Sequence, residues 1–464
     1  MRFQIENIGI TPRPTLAFFL VHIGLGLMFV LGGLPAAAAV HSLIVLLLGV
    51  MCALKGRDVW VACIISYIMG AEVLWRMGGG GIVWEMAKYG VTLILTIALL
   101  IKPSRIRSPA ALVTYFLLLL PAILDAPAES FTQWKEAVSF NLSGPLSLLL
   151  CGIFFSKMEF ETDDLKRFFS WFLAPVAGVA AVSAFSLTQA ENIQWGRASV
   201  YAASAGFGPN QVSSVLGTGA FFCVIAYVLY TRKPLIKTIL LVSGIWFITQ
   251  AFLTFSRGGV IQSILAVGLF FVYLIRARGG RYFIPITMLA VSLVCFGIYY
   301  LIPKLDEFTQ GGLTQRYQER EQVGGVELLD TTGRWELVQA DLQIFLTHPM
   351  GSGVGRLRSL HKKILGTRKA AHTEWTRMLA EHGWPGLLAI IALAVWAWKQ
   401  YRATRDPFLK AVKASFFFSA AVFMGHAAMR LVLPGVLIGF LGGCRRAEDG
   451  VHAERISEGR TRRL

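Results

Sequence analysis

Long apolar runs separated by short polar connections cover most of the chain. They fall at about 15–34, 36–54, 58–77, 82–101, 109–124, 138–156, 167–188, 211–230, 236–255, 258–276 and 282–303, then at about 385–399, 411–427 and 431–443. Most approach the roughly 20 residues that carry a helix across a bilayer. One long hydrophilic stretch, Lys304–Trp384, interrupts them late in the sequence. The pattern predicts an all-α polytopic membrane protein of about 12–14 transmembrane helices with one large loop outside the membrane. Arg430 leaves the last pair open, since it can equally end a tilted helix.

Charge gives the orientation. Basic clusters at 55–57, 102–107, 157–167, 232–237, 276–281 and 399–405 mark alternate connections, and the intervening short ones carry at most one cation each. Cytoplasmic connections hold the excess of Lys and Arg, so both termini are expected inside and Lys304–Trp384 outside. Assigned so, the inner segments hold 27 Lys/Arg against 11 Asp/Glu and the long loop 11 against 10. The net charge of +17 is therefore topogenic and does not describe a groove for nucleic acid. Arg2, Arg13 and Ala36–Ala38 give the start a signal-peptide look, but the apolar run is too long for one, and an uncleaved first span is expected. The chain divides into N-terminal spans 1–166, a second set 167–303, the loop 304–384, closing spans 385–443 and a basic tail 444–464.

Charges at the outer ends of spans are the candidate chemistry. Glu72 and Arg76 are spaced i,i+4 and Glu85 and Lys88 i,i+3, either as structural ion pairs or as the lining of an outward-facing polar cavity. Arg197 precedes a Gly206-Phe207-Gly208-Pro209-Asn210 turn in which Asn210 is a candidate cap for the next helix. Arg257 stands in a tight Ser256-Arg257-Gly258-Gly259 connection, where a rigid guanidinium fork and a helix N-terminus suit an anion. Within the loop, Arg334–Thr347 has helical period with Trp335, Val338, Leu342 and Phe345 on one face. Thr332 is its candidate cap, His348-Pro349 its stop, and the membrane surface its expected bed. The Gly351-Ser352-Gly353-Val354-Gly355 run lacks the preceding strand that a nucleotide loop requires. A second helix is expected over Ala370–Glu381, with His372 in its first turn and Glu374, Arg377 and Glu381 as a salt-bridge ladder. His348 and His382 read as turn and helix-end residues. The four loop histidines lack metal-ligand spacing, none of the six cysteines lies in the loop, and neither a metal nor a cofactor is expected.

Taken together and in order, Arg197 with Pro209-Asn210, Ser256-Arg257-Gly258, Arg334-Trp335, His348-Pro349, Gly353-Val354-Gly355, and His372 ahead of Leu379-Ala380-Glu381-His382-Gly383 resemble the O-antigen ligase and O-antigen polymerase superfamily. These are bacterial inner-membrane glycosyltransferases. The resemblance covers roughly residues 170–400. The sequence departs from it with Thr373 where an asparagine commonly follows the histidine, and with extra N-terminal spans. The resemblance implies a metal-independent, inverting transferase whose loop is periplasmic. Its donor would be a polyprenyl-diphosphate-linked glycan, and its acceptor a glycan, lipid A core or a protein. It also implies His372 as general base and Arg197, Arg257, Arg334 and Arg377 as candidate diphosphate ligands. The rival reading, a polytopic transporter or lipid-linked glycan flippase, predicts two related halves, and no internal repeat is visible.

Overall fold

The computed structural model describes residues 5–80, 83–103, 109–127, 129–190, 193, 195, 199–230, 233–276, 284–285, 287–288, 291–292, 297–318, 320–323, 326–329 and 333–445. In chain order come α1 (Pro12–Leu31), α2 (Pro35–Leu54), α3 (Asp58–Met77), α4 (Met86–Ile101) and α5 (Ala110–Leu117). Then follow α6 (Phe131–Phe155), α7 (Thr162–Gln189), α8 (Pro209–Leu229), α9 (Pro234–Leu253) and α10 (Arg257–Arg276). The polar stretch holds α11 (Ile302–Phe308), α12 (Gly312–Gln318), α13 (Arg334–Thr347) and α14 (Leu357–Leu365), and the chain closes with α15 (Glu374–Ala403), α16 (Pro407–Ala427) and α17 (Leu433–Gly439). The strands are minor: β1 (Glu159–Phe160) pairs with β4 (Cys444–Arg445), and β2 (Arg320–Val323) with β3 (Val326–Leu329).

Among the described residues, ten helices are long and apolar enough to cross a membrane, so this is a multi-pass membrane protein. The axis is α7, whose side chains from Phe168 to Val182 are almost all buried against α1, α3 and α8. The first helix belongs to this core, with Gly26 against Gly178 and His22 Nε2 2.8 Å from the Tyr67 hydroxyl. At the periphery, α2 turns Leu43, Ile44, Leu47, Leu48 and Met51 outward. A contiguous apolar face of that size belongs against lipid.

Three expected spans differ from the observed helices. The run 109–124 gives α5 and then a single 3-10 turn at Pro121–Ile123, because Pro121 supplies no amide to continue the ladder. The run 431–443 is a buried half-span: Leu433–Gly442 rises about 15 Å, half of a roughly 30 Å hydrocarbon core. The run 385–399 is the middle of the much longer α15, which kinks at Gly383 (φ 62°, ψ −141°). The expected span 282–303 lies partly outside the described residues, and its last part is a π-helical turn at Gly297–Leu301 that runs into α11.

The kink fixes the polar stretch to the bundle. Pro385 cannot donate, so the carbonyls of Ala380 and Glu381 turn outward and accept from the Ser352 amide (3.0 Å) and the Gly353 amide (3.1 Å), while the Trp384 amide reaches Pro349 O (2.8 Å). A side chain at Gly383 would overlap that Pro349 carbonyl and would face a left-handed φ that L-residues avoid. The glycine run at 351–355 is thus a latch across the kink, with its amides engaged by protein carbonyls and by Glu381 Oε1 (2.9 Å from Gly355 N). The salt-bridge ladder expected on this helix is present between Arg377 and the carboxylates of Glu374 and Glu381.

Helix α13 ends at Thr347, as His348-Pro349 predicts. Its buried face is Leu337, Ala340, Asp341 and Ile344. The apolar face read from the sequence is the outer one, with Trp335 and Leu342 each about 40% exposed. Thr332 lies outside the described residues, and Gly333 (φ 75°) occupies the cap position.

Candidate active site

Five segments distant in sequence converge at one end of the bundle: the start of α8, the α9–α10 hairpin, the start of α13, the approach to α15, and the turn between α16 and α17. Pro209 occupies the first position of α8, where a missing amide costs nothing. Asn210 therefore lies inside the first turn and does not cap it. Its Oδ1 accepts from Ser256 Oγ (2.8 Å) and from Arg334 Nη2 (3.4 Å), joining three of the segments.

The hairpin is held from both sides. Phe255 adopts a left-handed φ of 57°, and its carbonyl accepts from Arg316 Nε (3.1 Å). The Ser256 carbonyl accepts from Ser213 Oγ (3.0 Å). Arg257 then opens α10. A Cβ at Gly258 would run into the His426 imidazole, and one at Gly259 into the Ser213 backbone. The two glycines therefore let α10 lie against α16 and α8. His426 is itself fixed, with Nε2 2.9 Å from Ser214 Oγ and Nδ1 2.7 Å from the Val422 carbonyl.

His372 precedes α15 and is not in its first turn. Thr373 caps that helix: its backbone is extended and its Oγ1 accepts from the Trp375 amide (3.2 Å). The threonine that departs from the family pattern thus keeps a capping side chain, as asparagine would. Thr373 thus fixes both the helix start and the place of the histidine just before it. Burial comes first, and then the positive charges of Arg430, Arg334 and Lys369 push the His372 pKa down to about 4. The imidazole is neutral at neutral pH, and its Nδ1 is buried without a hydrogen-bond partner among the described residues.

Arg430 is the residue that sequence reasoning undervalued. It sits in the turn that follows Ala428 (φ 51°), where the Met429 amide donates to Glu374 Oε2 (3.1 Å) and the Val432 amide to Glu72 Oε2 (2.8 Å). Its Nη2 donates to the Ala371 carbonyl (3.1 Å), next to His372. Burial, then the charges of Arg358 and Arg377, press its pKa below the usual arginine range. A lone arginine inside an apolar run was the available signal.

Arg377 does not join this group. Its five N–H donors meet Glu374 (Nε to Oε2, 3.0 Å, and Nη2 to Oε1), Glu381 (Nη1, 2.7 Å) and Asn141 (Nη1 to Oδ1, 2.8 Å; Nη2 to O, 3.4 Å). A guanidinium has five such donors, so none remains for a diphosphate. Arg197 lies outside the described residues. Arg334 donates to Asn210 Oδ1, and Arg257 directly follows Ser256, which donates to the same oxygen.

On the other side of the Ala371–Arg430 contact opens a cavity of about 1250 Å³, above the roughly 300–1,000 Å³ usual for small ligands. Trp84, Tyr89 and Phe140 supply aromatic faces, and Gln133, Glu136 and Arg358 supply polar groups. The two outer-end pairs form: Glu72 with Arg76 (2.6 Å) and Glu85 with Lys88 (2.6 Å). Glu85 reaches the cavity wall, and the Arg76 guanidinium lies 4.8 Å from the Trp84 ring centroid. Among the described residues no cluster of His, Cys, Asp or Glu is placed to hold a metal ion.

Residues 242–391 match the family model for O-antigen ligase. The match takes in the hairpin, α13, the glycine latch, His372 and the kink of α15. No curated protein matches the chain.

Proposed function

From the match of residues 242–391 to the O-antigen ligase family model, we propose that this chain belongs to that family and is an inverting, metal-independent glycosyltransferase. It moves or polymerises a polyprenyl-diphosphate-linked glycan at the periplasmic face of a bacterial inner membrane. One observation carries this reading: a buried His372 Nδ1, without a hydrogen-bond partner among the described residues, beside Arg334, Lys369 and Arg430. A base next to crowded cations suits a reaction in which a hydroxyl is deprotonated while a diphosphate departs.

The acceptor O–H gives its proton to His372 Nδ1 and its oxygen bonds the anomeric carbon. The bond from that carbon to the diphosphate oxygen breaks, and its electron pair leaves on the diphosphate. A single displacement inverts the anomeric centre. Arg257, Arg334 and Arg430, with Arg197 from the preceding loop, balance the growing negative charge. The aromatic and polar cavity behind Ala371 takes the body of the acceptor (a glycan, lipid A core or a protein), whose reacting hydroxyl extends past the Ala371–Arg430 contact to His372.

Two measurements test this. Arg257→Ala, Arg334→Ala and Arg197→Ala each raise the KM for donor about 10- to 100-fold, the effect of losing a charge-assisted hydrogen bond of about 1.5–3 kcal/mol. Lysine restores part of the loss, since an ammonium cannot bind phosphate oxygens bidentately. Unaltered donor use by all three alanine variants overturns the diphosphate site. Sidedness is read by cysteine labelling at position 324 and after residue 464: reagent confined to the periplasm reaches the first and not the second. Labelling of position 324 from the cytoplasm alone contradicts the mechanism.

A further inference from the structure

Within the polar stretch lies a buried pair that the transfer chemistry does not use. Asp341 of α13 and His361 of α14 are both completely buried. Asp341 Oδ1 lies 2.8 Å from His361 Nε2, and its Oδ2 accepts from Thr376 Oγ1 on α15 (2.6 Å). His361 Nδ1 lies 2.8 Å from the Lys369 carbonyl. Four segments are therefore tied at one point: α13, α14, α15 and the 366–373 approach that ends in His372.

The partners dictate the protons. A carbonyl only accepts, so Nδ1 carries its hydrogen. A carboxylate against Nε2 then needs one more proton between them, on the nitrogen or on the oxygen. With that proton the tie is complete; without it a lone pair faces a carboxylate at 2.8 Å. The groups that face the pair are Asp341 from α13, Thr376 and Glu381 from α15, the latter already bonded to Arg377, and the Lys369 carbonyl from the approach; on α14 itself Arg358 and Lys362 flank it. Burial disfavours the charged imidazole, but the Asp341 hydrogen bond, the Lys369 carbonyl and the Asp341 and Glu381 charges outweigh it, and the His361 pKa is raised above 6.5. A raised pKa means the tie is fully present below about pH 6.5 and is lost as pH rises through the higher folded-state value.

We propose that Asp341 and His361 are a positioning pair for the proposed transfer: by holding the Lys369 carbonyl they set the backbone track that presents His372, three residues on. The inference rests on the glycosyltransferase reading. Lys369 is also one of the cations felt at His372, so its placement sets both the position and the charge of the base. Neither residue touches substrate.

Asp341→Asn separates positioning from bulk. The amide N–H donates to Nε2 and its carbonyl accepts from Thr376, so the tie survives with no titrating proton. The full-length chain in proteoliposomes is supplied with a polyprenyl-diphosphate-linked oligosaccharide and acceptor, and kcat is measured from about pH 6 to about pH 9. In the natural chain kcat falls along the alkaline limb, and hydrogen-exchange protection of residues 366–372, corrected for intrinsic rates, falls with it. In Asp341→Asn both limbs flatten. His361→Ala lowers kcat about 10- to 100-fold at every pH, the cost of misplacing a catalytic group by an ångström or so, with the donor KM unchanged. An identical alkaline limb in Asp341→Asn, or unchanged protection across pH in the natural chain, overturns the proposal. His372→Ala run alongside keeps the two ideas apart. Its inactivity beside an unaltered Asp341→Asn profile removes only the positioning pair, whereas its full activity removes the base assignment itself.

Discussion

Replacing His372 by alanine lowers glycan transfer about 10²–10⁴-fold, the usual contribution of a positioned general base. That corresponds to roughly 3–5 kcal/mol of barrier. Donor binding survives, because the arginines hold the diphosphate. The pH profile carries a further signature. In the free enzyme the imidazole is depressed to about 4 by burial and by the cations of Arg430, Arg334 and Lys369, so it is already deprotonated at neutral pH. A bound diphosphate offsets those cations and raises the imidazole pKa. The acid limb of kcat/KM therefore lies near pH 4, and that of kcat at higher pH. His348→Ala, at an exposed turn, transfers normally, and EDTA leaves transfer intact. Near-normal transfer by His372→Ala, or coincident acid limbs for the two parameters, contradicts the assignment.

Arg377→Ala removes folded protein and not donor affinity. It leaves Glu374 and Glu381 buried without their cation and Asn141 without its partner, and breaking a buried pair costs about 3–5 kcal/mol. The loss spreads, because Glu374 also holds the Met429 amide and Glu381 also holds the Gly355 amide. Arg377→Lys recovers little, since three donors from one nitrogen cannot replace a planar fork that meets three side chains. Thermal unfolding in detergent should show the alanine variant strongly destabilised, and whatever remains folded should show a nearly natural KM for donor. A stable variant with a raised KM would return Arg377 to the diphosphate site.

The transmembrane architecture was legible because it depends on local hydropathy, and the stop of α13 at His348-Pro349 because proline acts on its own neighbourhood. The misreadings have local causes as well. Two helix starts lie elsewhere than expected: Gly208 and Pro209 open α8 two residues ahead of the cap expected at Asn210, and Thr373 caps α15, so His372 stands before the helix and not in its first turn. The run at 431–443 reads as a span although Leu433–Gly442 covers only half of one, because apolar composition reports burial and not length. What the sequence could not show is pairing at a distance. Asn141 meets Arg377 across 236 residues, and Ser214 meets His426 across 212. The Asp341–His361 pair was hidden for a related reason: an acid on a helix face otherwise read as solvent-facing gives no hint that this face is the buried one.

The central claim is that this chain breaks the bond between a glycan and a polyprenyl diphosphate. The most direct test uses the purified full-length chain in proteoliposomes with a glycan-labelled polyprenyl-diphosphate donor and an acceptor. Free polyprenyl diphosphate and labelled acceptor are quantified together, with the anomeric configuration of the new linkage. Both products are expected in equal amounts, with an inverted linkage, and neither from His372→Ala. Movement of intact donor across the bilayer with no release of polyprenyl diphosphate would contradict it and identify a transporter.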